Sequence, residues 1–149
     1  MTPAPRRRPR HFAPVARQNV MPPRIKKLDH FVIYVSDLAR AEKFYTERLG
    51  MPVKMRIGSE QIVLRCGDLS LSLMLKLDLQ TPVEPGAIES PLGRAHFAVN
   101  VSAADWSAAR EELQAAGVPL SQPVDWGDHD CFYLTDPDGN LIELMSWRD

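Results

Sequence analysis

The sequence predicts an α+β fold made of two similar βαβββ halves, and three observations carry that prediction. A strand-like segment at Leu28–Ser36 returns at Arg94–Ser102. Each copy leads into an amphipathic pattern with a capping residue in front and a glycine behind. Each copy then closes on two apolar stretches joined by a turn.

The repeat pairs His30-Phe31 with His96-Phe97, Val35-Ser36 with Val101-Ser102, and Ile33 with Val99. Both segments are β-branched and aromatic with alternating apolar positions, the signature of strands. Alternation sends Phe31, Ile33 and Val35 to one face, as it does Phe97, Val99 and Val101. His30, Val32 and Tyr34 take the opposite face, matched by His96, Ala98 and Asn100. The first helix is expected over Leu38–Leu49, capped by Ser36 or Asp37 and stopped by Gly50. Leu38, Ala41, Phe44 and Tyr45 form its apolar face. The second is expected over Ala103–Ala116, capped by Ser102 and stopped by Gly117, with Trp106, Ala109 and Leu113 on the apolar face.

Further strands are predicted at Gln61–Arg65 and Leu69–Leu77, around the turn Cys66-Gly67-Asp68. Their counterparts are Cys131–Thr135 and Leu141–Trp147, around Asp136-Pro137-Asp138-Gly139-Asn140. One more strand per copy is placed near Met51–Arg56 and Ser121–Trp126, and Trp126–Asp130 is read as a loop. Residues 25–149 therefore read as one domain, with module one over 25–77, a Pro-containing linker over 78–93 and module two over 94–149.

Composition sets the outer bounds. The chain has 149 residues, 44% hydrophobic and 25% charged, the balance of an ordinary globular domain. No apolar run reaches the ~18 residues a membrane span needs. Neither Cys66 nor Cys131 stands in ligand-like spacing, and no secretory h-region is seen, so reduced thiols in the cytoplasm are expected. Residues 1–27 hold eight basic side chains and no acidic one, whereas residues 28–149 hold ten basic against nineteen acidic. The Pro-rich basic stretch over 1–24 reads as a disordered tail. The acidic remainder would repel phosphate, which argues against a nucleic-acid-binding protein.

Three residues form the candidate centre. His30 and His96 occupy the same slot of the repeat, and both face away from the side that packs on the helices. Glu143 lies between Ile142 and Leu144 on an apolar strand, so its carboxylate emerges on the opposite face. A charge in such a strand needs a partner, because burying it unpaired is costly. A lone strand histidine is more often packed or solvated than ligating, and a lone Glu more often lies at an edge. The shared slot of the two histidines is what sets these residues apart. Two imidazoles and a carboxylate suit Fe(II), Mn(II), Ni(II), Co(II) or Zn(II) and leave positions open for water or substrate.

The motifs Leu28-Asp29-His30-Phe31-Val32-Ile33-Tyr34-Val35-Ser36-Asp37-Leu38, Phe44-Tyr45-Thr46-Glu47-Arg48-Leu49-Gly50, the strand around His96 and Asp136–Leu144 resemble those of the vicinal oxygen chelate superfamily. That superfamily includes glyoxalase I, bleomycin-resistance proteins, fosfomycin-resistance enzymes and extradiol dioxygenases. The resemblance spans Ile25–Trp147. It implies paired βαβββ modules forming an incomplete barrel around one divalent metal, held here by His30, His96 and Glu143. It also implies a homodimer, with a site completed either within one chain or by both. In glyoxalase I, module one usually supplies a further Glu; matching packed faces puts Ser72 there, which cannot replace a carboxylate. Tyr34, Arg65, Ser72, Met74, Asn100, Trp126, His129 and Tyr133 are the candidate substrate contacts, alongside Ser70 and Lys76 on the same strand faces.

The function expected from this set is electrophilic activation of a small oxygenated molecule by a glyoxalase-like lyase or isomerase. An Fe(II) ring-cleaving dioxygenase, a metal-dependent antibiotic-modifying transferase and a non-catalytic drug binder of the bleomycin-resistance type are the alternatives.

Overall fold

The computed structural model describes residues 24–79 and 95–148. The expected tail lies outside them but for Arg24, as does the linker beyond Leu79. The elements run β1 (His30–Val35), α1 (Leu38–Glu47), β2 (Val53–Ile57), β3 (Gln61–Cys66), β4 (Leu69–Leu75), β5 (His96–Asn100), α2 (Ala103–Ala115), β6 (Val124–Asp125), β7 (His129–Thr135) and β8 (Leu141–Trp147). They form two open four-stranded sheets, ordered β1-β4-β3-β2 and β5-β8-β7-β6. In each, the first strand runs parallel to the last and the other pairs are antiparallel. This is the α+β pair of βαβββ modules read from the repeat.

Register confirms the equivalence of the modules. Val32 pairs with Ser72 and Ala98 pairs with Glu143, so Ser72 does occupy the slot that Glu143 fills in module two. α1 stops at Glu47 and β4 at Leu75, each two residues short of expectation, β2 is shifted to Val53–Ile57, and two elements differ more. β7 opens at His129, because the extension of β8 to Trp147 gives His129 a pairing partner. Two of the five residues read as a loop there, His129 and Asp130, are therefore strand. β6 shrinks to two residues, since Pro123 immediately before it has no N–H for the ladder.

Local signals explain the helices. Asp37, not Ser36, caps α1, its carboxylate accepting from the Arg40 N–H at 2.9 Å. Ser102 caps α2 through the Asp105 N–H. Gly50 and Gly117 follow the helices at φ 63° and 74°, left-handed positions that glycine takes without a Cβ clash.

The helix-facing sides of both sheets share one core. Val35, Ile62, Leu64, Leu71 and Leu73 from module one join Phe132, Leu134, Ile142 and Leu144 from module two, with Tyr45 of α1 and Leu113 of α2. Phe31 and Phe97, equivalent in the repeat, meet with ring centroids 4.8 Å apart. The opposite faces, carrying His30 in one module and His96 with Glu143 in the other, are thereby left outside this core.

A polar latch holds the modules together. The β7–β8 turn places Asp136 beside α1, where its Oδ2 accepts from the Tyr45 hydroxyl at 2.9 Å. The other oxygen, Oδ1, accepts from the Asp138 and Asn140 N–H groups. Asp138, almost fully buried, accepts from the Ser36 hydroxyl and from Arg40. Burial pushes the Asp136 carboxyl above its ordinary range, while these donors pull it back. Burial, and the neighbouring carboxylate, push the Tyr45 hydroxyl well up, so it stays a donor. Tyr45→Phe leaves a buried carboxylate oxygen short of a donor and is expected to cost about 1–3 kcal/mol. The check is a lower urea midpoint with an unchanged slope.

Candidate functional site

The face of module two opposite the core is built by alternation along β5, β7 and β8. β8 sends Ile142 and Leu144 into the core, which leaves Leu141, Glu143, Met145 and Trp147 on the other side. β7 likewise leaves His129, Cys131 and Tyr133 there, and β5 leaves His96. His96 Nε2 stands 3.2 Å from Glu143 Oε2. The carboxylate side chain is only 10% exposed and the imidazole 30% exposed, so the pair is accessible from one side.

Tyr133 ties this pair together. It is paired with Glu143 across β7 and β8, and its ring meets the His96 ring edge-on at 5.7 Å. Its hydroxyl lies within electrostatic reach of Glu143 and Cys131. Burial, then the neighbouring Cys131 and Glu143, push this hydroxyl well above its ordinary range, so it holds its proton at Oη. Burial pushes the Cys131 thiol up in turn, with Glu143, Tyr133 and Trp126 acting on it.

Beyond Cys131 the face becomes aromatic. His129 lies between Trp126, near-parallel with centroids 6.3 Å apart, and Trp147 at 4.5 Å. Both tryptophans are about half exposed. A cleft of about 730 Å³ opens beside His96, lined chiefly by Phe31, Val32, Phe97, Ala98 and Leu141.

The structure divides the sequence-predicted residues between two faces. His96, Glu143, Tyr133, Trp126 and His129 come together on module two, and Asn100 lies at the far end of β5 on the same face. His30, Tyr34, Arg65, Ser72 and Met74 lie on the corresponding face of module one. There the Ser72 hydroxyl accepts from Gln61 at 2.6 Å and Lys76 sits over the Tyr34 ring. The His30 side chain is 56% exposed, with Nδ1 2.9 Å from Asp29. Among the described residues of one chain, no three His, Cys, Asp or Glu side chains are close enough to hold a metal ion. A single chain thus joins two of the three predicted ligands and leaves His30 on its own face. Cys131 and Trp147 were missed from the sequence; their parity with Tyr133 and Glu143 was the signal that could have found them.

A sequence model described as the glyoxalase/bleomycin resistance protein/dioxygenase superfamily matches residues 27–144. The chain belongs to this superfamily. Within it, the chain is 33% identical over 132 residues to the glyoxalase domain-containing protein RDO1 of Mycosarcoma maydis, covering 84% of this chain and 70% of that one. It is 29% identical over 120 residues to glutathione transferase FosA of Serratia marcescens, covering 80% of each. The fold matches the crystal structure of the fosfomycin resistance protein FosX of Listeria monocytogenes at a TM-score of 0.68. That match has 20% identity and covers 84% of this chain and 96% of the other. For this superfamily member, Ser72 in the Glu143 slot is the feature that separates its two modules chemically.

Proposed function

We propose that the chain is a divalent-metal-dependent enzyme that acts on a small oxygenated molecule by a glyoxalase-like lyase or isomerase step. The observation that carries this is the His96–Glu143 pair, a mostly buried carboxylate held 3.2 Å from an imidazole that lines a cleft. The donors are nitrogen and oxygen, a set that suits Fe, Mn, Ni, Co or Zn. Bound there, the metal would act as a Lewis acid toward substrate oxygens. The chain's own groups then have separable tasks. Tyr133 orients Glu143 and keeps its proton, and the apolar cleft takes the non-polar part of the substrate and excludes water.

His30 is the third ligand, supplied by a second copy of the chain in a homodimer. Its face presents Val32, Tyr34, Met55 and Ile57, each between 43% and 50% exposed, beside the exposed imidazole. The His96 face presents Trp126 and Trp147. Large apolar groups grouped around candidate ligands suit burial between two copies related by a two-fold axis. Free Cys66 and Cys131 suit a reducing compartment, and the cytoplasm is the location we assign. Among the described residues, no helix is long and apolar enough to cross a membrane.

Mixing separately prepared His30→Ala and His96→Ala chains tests the shared site. A heterodimer keeps one intact set, so metal content should rise from near zero in each variant to about one quarter of wild type after random exchange. No recovery, with dimers forming normally, means that the ligands do not come from two copies. Tyr133→Phe should weaken metal binding by about 10–100-fold, the usual cost of removing a group that orients a ligand. Competition with a chelating dye reads it.

A second reading, a non-catalytic binder of flat molecules, is favoured by the Trp126–His129–Trp147 stack. Purified protein without stoichiometric metal that binds a flat aromatic dye through Trp147 would select it.

A further inference from the structure

The sheet face that carries His30 also carries cations. Residues 28–149 have ten basic side chains against nineteen acidic, and two of those ten, Lys54 and Arg65, belong to β2 and β3 of the His30 sheet. Ser70 pairs with His30 on one side and with Arg65 on the other, so the three cross β1, β4 and β3 in one row. Their strand neighbours Phe31, Leu71 and Leu64 belong to the core, which places the row on the outer face. Lys54 enters through the register shift between Val53 and Met55, an irregularity of the kind that re-aims a side chain. Its Nζ donates to the Ser70 hydroxyl at 3.2 Å.

The nearby acids offset the row only at its His30 and Lys54 end. Asp29 is engaged by the His30 ring and stands in the field of Lys27 as well as Lys54. Asp68, in the β3–β4 turn, pairs with neither cation, and Arg65 has no acidic partner among the described residues. Neighbouring strands lie about 4.8 Å apart, so Ser70 and Arg65 sit roughly 5 and 10 Å of backbone from His30. A guanidinium presents a fork to two oxygens and an ammonium adds a point charge.

We propose that Lys54, Ser70 and Arg65 form an oxyanion-binding row beside His30, selecting substrates that carry a carboxylate, phosphonate or phosphate next to the oxygens that chelate the metal. The row deepens the proposed function and rests on it, since only that reading puts a metal next to His30. Lys54 reaches the Ser70 hydroxyl, and Arg65 is the partner of Ser70 across β3 and β4.

The test uses full-length protein loaded with Co(II), titrated with phosphonoacetate and, separately, with acetohydroxamate, an O,O-chelator lacking the extra oxyanion. The cobalt absorption bands read both. The double variant Lys54→Met/Arg65→Met should bind phosphonoacetate about tenfold or more weakly. Acetohydroxamate and Co(II) itself should bind both proteins alike, and the phosphonoacetate advantage should shrink as salt rises. Equal affinity of both proteins for phosphonoacetate overturns the row. So does dissociation of the dimer in the variant, which would make these charges contacts to a second copy. If wild type takes up no Co(II), the metal reading has failed by itself. Phosphorus NMR with methylphosphonate and metal-free protein then decides the row: a titration that the double variant lacks supports it, and equal titrations overturn it.

Discussion

His96→Ala is expected to lower metal affinity by at least about 100-fold and to leave protein purified without added metal essentially metal-free. The direction follows from the donor count: a three-ligand site loses its imidazole and keeps the carboxylate and one other nitrogen. The magnitude is a lower bound, because removing even a group that merely orients a ligand costs 10–100-fold. Glu143→Gln keeps the shape but removes the charge, and should fall as far. Metal removal supplies the complementary measurement. A metal present at 100 times its dissociation constant stabilises the folded state by about 2.7 kcal/mol. A chelator should therefore lower the melting temperature of wild type and leave His96→Ala unmoved. Wild-type protein without metal, or a variant that binds it equally well, would sink the functional reading.

Phe132→Ala is expected to cost about 3–5 kcal/mol, the range for truncating a fully buried ring. Phe132 is fully buried, packs on Trp106 at 5.4 Å between ring centroids, and lies beneath the Arg110 guanidinium. Its core is shared by both modules, so the cavity cannot be closed by moving one sheet independently. Against a typical total of about 5–15 kcal/mol, this removes roughly a fifth or more of the stability. Denaturant unfolding followed by tryptophan emission would read it. A loss below about 1 kcal/mol would mean that the modules do not share one core.

These two substitutions mark what could be read early and what could not. The helices, the paired strands and the core faces follow from local chemistry: a two-residue period for the strands, a capping Asp37 or Ser102, and glycines where the backbone turns left-handed. The equivalence of Ser72 and Glu143 was legible for the same reason, since in-register alternation assigns faces without knowledge of the neighbours. His129 was harder. Flanked by two aspartates, it resembles a solvated loop residue, and only the reach of β8 to Trp147 makes it part of a strand. Cys131 and Trp147 were passed over because neither carries a pattern of its own; each matters through its neighbours across the sheet.

By itself, the sequence determined the two modules, their order and the residues that face away from the core, because these depend on periodicity and on bonds within a few residues. Tertiary structure decided which of those residues meet. It joined His96 to Glu143 through the parallel pairing of β5 with β8, and it left His30 on a different surface. That outcome depends on how two sheets pack across a shared core, a matter of contacts between residues far apart in the chain, on which repeat spacing is silent.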